Sequence, residues 1–271
     1  MIKTVLAIVE GPVRAGSFID AVLGFAEYRQ AHLIFDVLTA APMLSPTLAP
    51  LGTLYTFSGE LRQLARDHAS GLRALLPPDS RAEVVSHCDD VGWIPGDLRD
   101  NAPLADLVIV GPHESWSIGW LRHRTIETVL MASGTPLLLL PPGRSVRTVG
   151  HAVLGWKPGP TAMRALQHLV RFAAPGARID VAAVKHGLAD QSESDLEPVL
   201  ALLRRHGFSV EGHALDRNGK PQDMLTGFAL DRGADLLVVG GFAHSRVREI
   251  VLGGVTRGLI DDPRLPVLMA H

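Results

Sequence analysis

Four glycines near the carboxyl end define the chemistry this sequence is best equipped to do. Gly240 and Gly241 close the apolar run "ADLLVVGG", and Gly253 and Gly254 stand thirteen positions further on, ahead of Val255, Thr256 and Arg257. Glycine lets the backbone adopt positive φ and approach a ligand closely, so the amides around Gly240 and Gly241 can converge on an anion. A helix opening at Gly253, Gly254, Val255 and Thr256 offers unpaired amides and a positive dipole end to the same ligand. Two amide clusters facing one crevice make a triphosphate clamp, and they do so without a P-loop, whose signature the chain lacks.

Other reactive groups form no comparable constellation. There are 12 histidines, but "HES" at 113–115 lacks the second histidine of a zinc-protease helix, and His123, His151, His206 and His213 are scattered, so no metal site is expected. His244 beside Ser245 pairs a base with a nucleophile but has no orienting third group. No catalytic residue is therefore assigned. The single cysteine, Cys88, excludes an intrachain disulfide and a thiolate metal cluster, which fits a reducing cytoplasmic setting.

Composition bounds the partners. Of 271 residues, 46% are hydrophobic and 20% charged, with a formal charge of −2, so no basic surplus argues for nucleic acid or an acidic membrane surface. The apolar run before Glu10 is short, and nothing approaches the roughly 20 apolar residues of a membrane span. A soluble chain that begins as mature protein is expected.

A crevice of this kind needs parallel strands to hold it, and the chain supplies them twice. "LADLVIVG" (Leu104 to Gly111) and "GADLLVVG" (Gly233 to Gly240) match, and each is followed by a helical segment and then by "TPLLLLPP" or "LPVLMAH". Asp106 precedes Pro136 by 30 residues, and Asp235 precedes Pro266 by 31. The apolar strands alternate with helices, which calls for a parallel sheet covered on both faces. In the first half one helix carries Phe18, Val22, Phe25 and Ala26 inward, and another starts near Ser58. In the second half, one has Pro160 in its first turn with Met163, Leu166, Leu169, Val170 and Ala173 inward, and another opens on the capping box Ser194 to Glu197. Ala41 to Gly59 reads as a long loop beside the strand ends, a lid or a surface insertion. The expected architecture is α/β, two tandem Rossmann-like domains at 1–143 and 149–271, each a five-stranded parallel sheet. In such sheets ligands bind beyond the carboxyl ends of the strands.

The stretch "ADLLVVGGFAHSRVREIVLGGVTRGLIDDPRLPVLMAH" resembles the end of a universal stress protein domain. Nucleotide-binding members of that family carry G-x2-G-x9-G-[S/T] after the fourth strand. On this sequence the four positions are Gly240, Ala243, Gly253 and Gly254, so two match and two depart. The family also places an acidic residue after the first strand, where this chain has Lys157 in the second half and Glu10 in the first. The first-half loop "GPHESWSIGWLRHRT" puts Pro112, Glu114, Arg124 and Thr125 at or beside the motif positions. Proline has no amide and Glu114 repels phosphate, so no ATP is expected there; Trp116 and Trp120 are expected at a domain interface. The resemblance implies a cytoplasmic stress-response protein that binds ATP, with Mg, in its second half and catalyses little beyond slow hydrolysis. It also implies that the final strands of the two halves pair as a pseudo-dimer, with a further homodimer on top. Two alternatives are a nucleotide-independent scaffold or small-ligand sensor and an adenine-nucleotide-using transferase.

Overall fold

The computed structural model describes residues 2–11, 16–41, 53–90, 102–185, 196–241 and 254–271. They fall into two compact units, Lys3–Thr135 and Pro136–His271, the second also taking in Ile2.

The N-terminal unit is built on β1 (Thr4–Glu10), β2 (His32–Ala41), β3 (Glu83–Asp90) and β4 (Leu107–Val110), in the order β3-β2-β1-β4 with parallel pairing throughout. β1 and β4 are buried along almost their whole length, as strands covered on two faces must be. Helix α1 (Gly16–Arg29) buries the expected Phe18, Val22, Phe25 and Ala26. Helix α2 (Thr53–Leu75) begins five residues before the expected Ser58, so the end of the segment read as a loop is helical; residues 42–52 lie outside the described residues. Helix α3 (Gly119–Thr128) runs on into a π-helical turn, Val129–Ser133, which Gly134 stops at φ +67°.

The C-terminal unit holds β5 (Leu137–Leu139), β6 (His151–Gly155), β7 (Arg178–Val184), β8 (Ser209–Leu215), β9 (Leu236–Gly240) and β10 (Val267–Ala270), in the order β5-β10-β9-β6-β7-β8. From β10 to β8 the strands are parallel. β5 alone is antiparallel, with Leu139 opposite Val267 and Leu137 opposite Met269. The compact units divide before β5, so the last strand of the first repeat closes the edge of the second unit's sheet. An apolar edge strand with unpaired amides is thereby covered.

Helix α4 (Pro160–Phe172) has Pro at its start and buries Ala162, Ala165, Leu166, Leu169 and Phe172. Met163 is 39% exposed, so the inward stripe is rotated by one residue from the expected one. Helix α5 (Glu197–Arg205) follows residues 186–195, which are outside the description and include Ser194 of the expected capping box. Helices α6 (Pro221–Asp231) and α7 (Gly254–Asp261) complete the unit. α4 packs on β9 and β10, and α6 on β6, β7 and β9.

Candidate functional site

A cavity of about 770 Å3 opens at the carboxyl ends of β6, β7 and β9, where the winding of a parallel sheet leaves its ligand crevice. Its floor is apolar: Trp156, Val184, Leu225 and Val239 line it. Its rim is cationic. Lys157 follows β6, Arg217 and Lys220 precede α6, and Arg257 lies in α7, while Asp261 is the one carboxylate of the described lining. The starts of α4, α6 and α7 border the same space through Thr161, Pro221 and Gly254. Three helix amino termini and four cations around one cavity favour a ligand with several negative charges.

Of the expected site residues, Gly240, Gly254, Val255 and Thr256 all line this cavity. Thr256 is buried and Gly254 is exposed at the head of α7. Gly241 is turned to another use: its amide donates to the Ala270 carbonyl at 2.7 Å, extending the β9 to β10 ladder. Ala243, His244 and Gly253 lie outside the described residues, as do Ser245, Arg246 and Arg248. Gly240 has a packing role as well, because a Cβ there sits 2.7 Å from Thr161 Oγ1 and 2.8 Å from the Ala162 nitrogen. At Gly254 a Cβ meets none of the described residues within 4 Å.

Beneath the cavity lies a polar cluster that sequence spacing does not reveal. Asp180 shares a strand face with Ala182 and Val184, two of the cavity's lining residues, and its side chain is fully buried. His151 Nε2 donates to Asp180 Oδ2 at 2.9 Å, Arg178 reaches Oδ1 at 3.3 Å, and His213 Nε2 lies 3.4 Å from Oδ1. Arg232, at the end of α6, donates to His213 Nδ1 at 3.2 Å, and the His213 ring packs on Phe228 of α6 at 4.9 Å. Two histidines that look scattered in the sequence thus converge on one carboxylate. Asp180, Glu211 and His213 place ligand atoms within 4.8 Å of one another, but Arg178 and Arg232 already supply the positive charge there.

The N-terminal unit differs at the corresponding place. Its helix α3 starts at Gly119, only eight positions after Gly111. Arg124 and Thr125, expected at a helix start, therefore lie inside α3, where Thr125 is fully buried. Trp116 is buried and Trp120 is 46% exposed.

Comparison with known proteins matches these features to a family. Residues 150–271 fit the sequence model of the universal stress protein family. The C-terminal part of the chain is thus a universal stress protein domain. A universal stress protein of Methanocaldococcus jannaschii is 28% identical over 86 residues, which is 32% of this chain and 52% of that one. One from Synechocystis is 22% identical over 191 residues, 69% of this chain and 65% of its own. The matched stretches thus cover less than two thirds of either relative. The crystal structure of a universal stress protein from Archaeoglobus fulgidus superposes with a TM-score of 0.65 at 15% identity, covering 98% of this chain and 95% of that one. That likeness fixes the Rossmann-like α/β fold. Among the described residues, no helix of the chain is long and apolar enough to cross a membrane.

Proposed function

We propose that the chain is a universal stress protein acting in the stress response, which binds ATP in the C-terminal cavity and signals through conformation rather than turnover. The observation that carries the reading is the cavity itself: an apolar floor for a base, and a cationic rim with helix heads for phosphates. The residues present fit the group. Gly254, Val255 and Thr256 offer the α7 amides to phosphate, Lys157, Arg217 and Lys220 neutralise its charge, and Trp156 and Leu225 suit the adenine. With Asp261 as the one carboxylate in the described lining, Mg arrives on the nucleotide rather than in a protein cage. The described lining holds no general base placed against a nucleophile, so hydrolysis is slow.

Calorimetry with Mg-ATP, together with assay of nucleotide released from the purified protein on denaturation, tests this directly. Heat of binding or released adenine nucleotide is expected; silence in both discards the reading in favour of a nucleotide-independent scaffold. Lys157→Ala is expected to weaken ATP about fivefold, or about 1 kcal/mol, while leaving adenosine unchanged, because its contribution is to phosphate charge. Gly254→Ser meets none of the described residues with its Cβ and restores the hydroxyl of the family motif. It is expected to tighten ATP about threefold to tenfold, matching a hydrogen bond of about 1 kcal/mol, with stability changed by less than about 0.5 kcal/mol. Titration of both variants by calorimetry and denaturant melting reads these effects.

A further inference from the structure

At the head of α3 the N-terminal unit carries an anion of its own. Glu10 ends β1 and is 5% exposed. Its Oε2 accepts from the Ser117 amide at 2.5 Å and from the Ile118 amide at 3.1 Å. Those amides immediately precede Gly119, the first residue of the helix, and the N-cap residue Ile118 supplies no side-chain hydrogen bond. A helix start without a local cap presents donors and a positive dipole end. Here a carboxylate from a distant strand meets them, in the position where an anion from solution otherwise binds.

Register relates this contact to the other unit. Asp106 accepts from the amides of Lys3 at 2.7 Å and Thr4 at 3.0 Å. Asp235 accepts from Gly150 and His151, each at 2.9 Å. Thr4 and His151 are thus equivalent, and six residues beyond them stand Glu10 and Lys157. At one register position the charge reverses. Lys157 lines the C-terminal cavity, whose helix α7 opens at Gly254 on the same space. Glu10 instead lies on the Ser117 and Ile118 amides, just ahead of its own unit's helix.

We propose that Glu10 is a built-in ligand, whose carboxylate fills the anion position of the N-terminal unit so that this unit is permanently closed by its own chain and takes no external phosphate or carboxylate. The unit then holds its ligand-filled form at every nucleotide concentration. Any response to anions is confined to the C-terminal cavity, a corollary that rests on the nucleotide reading, whereas the closure by Glu10 does not.

The test uses Glu10→Ala in the full chain. Thermal melting is followed with formate, acetate or inorganic phosphate against chloride at equal ionic strength, and the amide resonances of Ser117 and Ile118 are followed by NMR. The variant is expected to melt lower than the parent and to recover at least half of the loss in tens of millimolar formate or phosphate but not in chloride. Its Ser117 and Ile118 amides are expected to shift on titration, and those of the parent to stay fixed. Undiminished melting, recovery no better than in chloride, or equal shifts in the parent would overturn the proposal. Where Glu10→Ala does not fold, Glu10→Gln keeps the shape without the charge, and faster solvent exchange at Ser117 and Ile118 is expected; unchanged exchange overturns it. Neither arm contains ATP, so failure here leaves the nucleotide reading standing, and the calorimetric failure of that reading leaves the closure by Glu10 intact.

Discussion

Asp180→Ala is expected to cost about 3 kcal/mol at neutral pH, the largest loss of any single side-chain truncation around the site. The carboxylate is fully buried and accepts from His151, with Arg178 and His213 within reach. Burial alone raises the pKa of such a group, but the hydrogen bonds from His151 and His213 and the Arg178 charge outweigh it and hold the carboxyl below its usual value. A carboxyl that titrates lower in the folded than in the unfolded chain stabilises the fold fully above the unfolded value of about 4, and loses that contribution as pH falls through the folded value. The difference between parent and variant in denaturant melting is therefore expected to be largest near pH 7 and to shrink below about pH 4. A constant difference across that range would assign the effect to lost packing instead. The loss also reaches the cavity, because His213 packs on Phe228 and bonds Arg232, both at the carboxyl-terminal end of α6, whose first residues border the ligand space.

What the sequence made legible follows from how local each signal is. The strands "LADLVIVG" and "GADLLVVG" are continuous apolar runs, and burial on two faces needs nothing more than that, so β4 and β9 stand where the runs stand. Gly240 and Gly254 stand at the cavity as their spacing suggests, but the ladder role of Gly241 and the packing of Gly240 against α4 depend on tertiary contacts that the sequence does not display. Helix α2 was misjudged at its start because Ala41 to Gly59 is rich in proline, and proline content hides a helix that begins only at Thr53. Arg124 and Thr125 fall at a helix start only if the motif spacing of the second half holds in the first; the helix starts at Gly119 instead, which puts both inside it. The Asp180 cluster was not readable at all. Its members come from β6, β7, β8 and the end of α6, and only the pairing register of Asp180 with Glu211, and of Ala182 with His213, puts them on one face. Glu10 was identified as the acid after the first strand, but a contact across more than a hundred residues leaves no local trace.

Gly240→Ala is expected to destabilise the protein by about 2 kcal/mol and to weaken ATP at the same time, whereas Gly254→Ala does neither to a comparable degree. Added volume in a packed interior costs about 1 to 3 kcal/mol. At Gly240 the new methyl lies 2.7 Å from Thr161 Oγ1 and 2.8 Å from both the Thr161 carbonyl carbon and the Ala162 nitrogen. Two of those three atoms are backbone in the first turn of α4, so no rotamer change relieves the contact; β9 and α4 must part. Gly240 and Thr161 both line the cavity, and parting them widens the space at the ends of β9 and α4 where convergent donors are needed. At Gly254 the added Cβ meets none of the described residues. Denaturant melting and ATP calorimetry on the two alanine variants separate the roles: equal effects at both positions would mean that Gly240 serves only ligand approach, while the expected asymmetry makes it the glycine that lets strand and helix meet beneath the ligand.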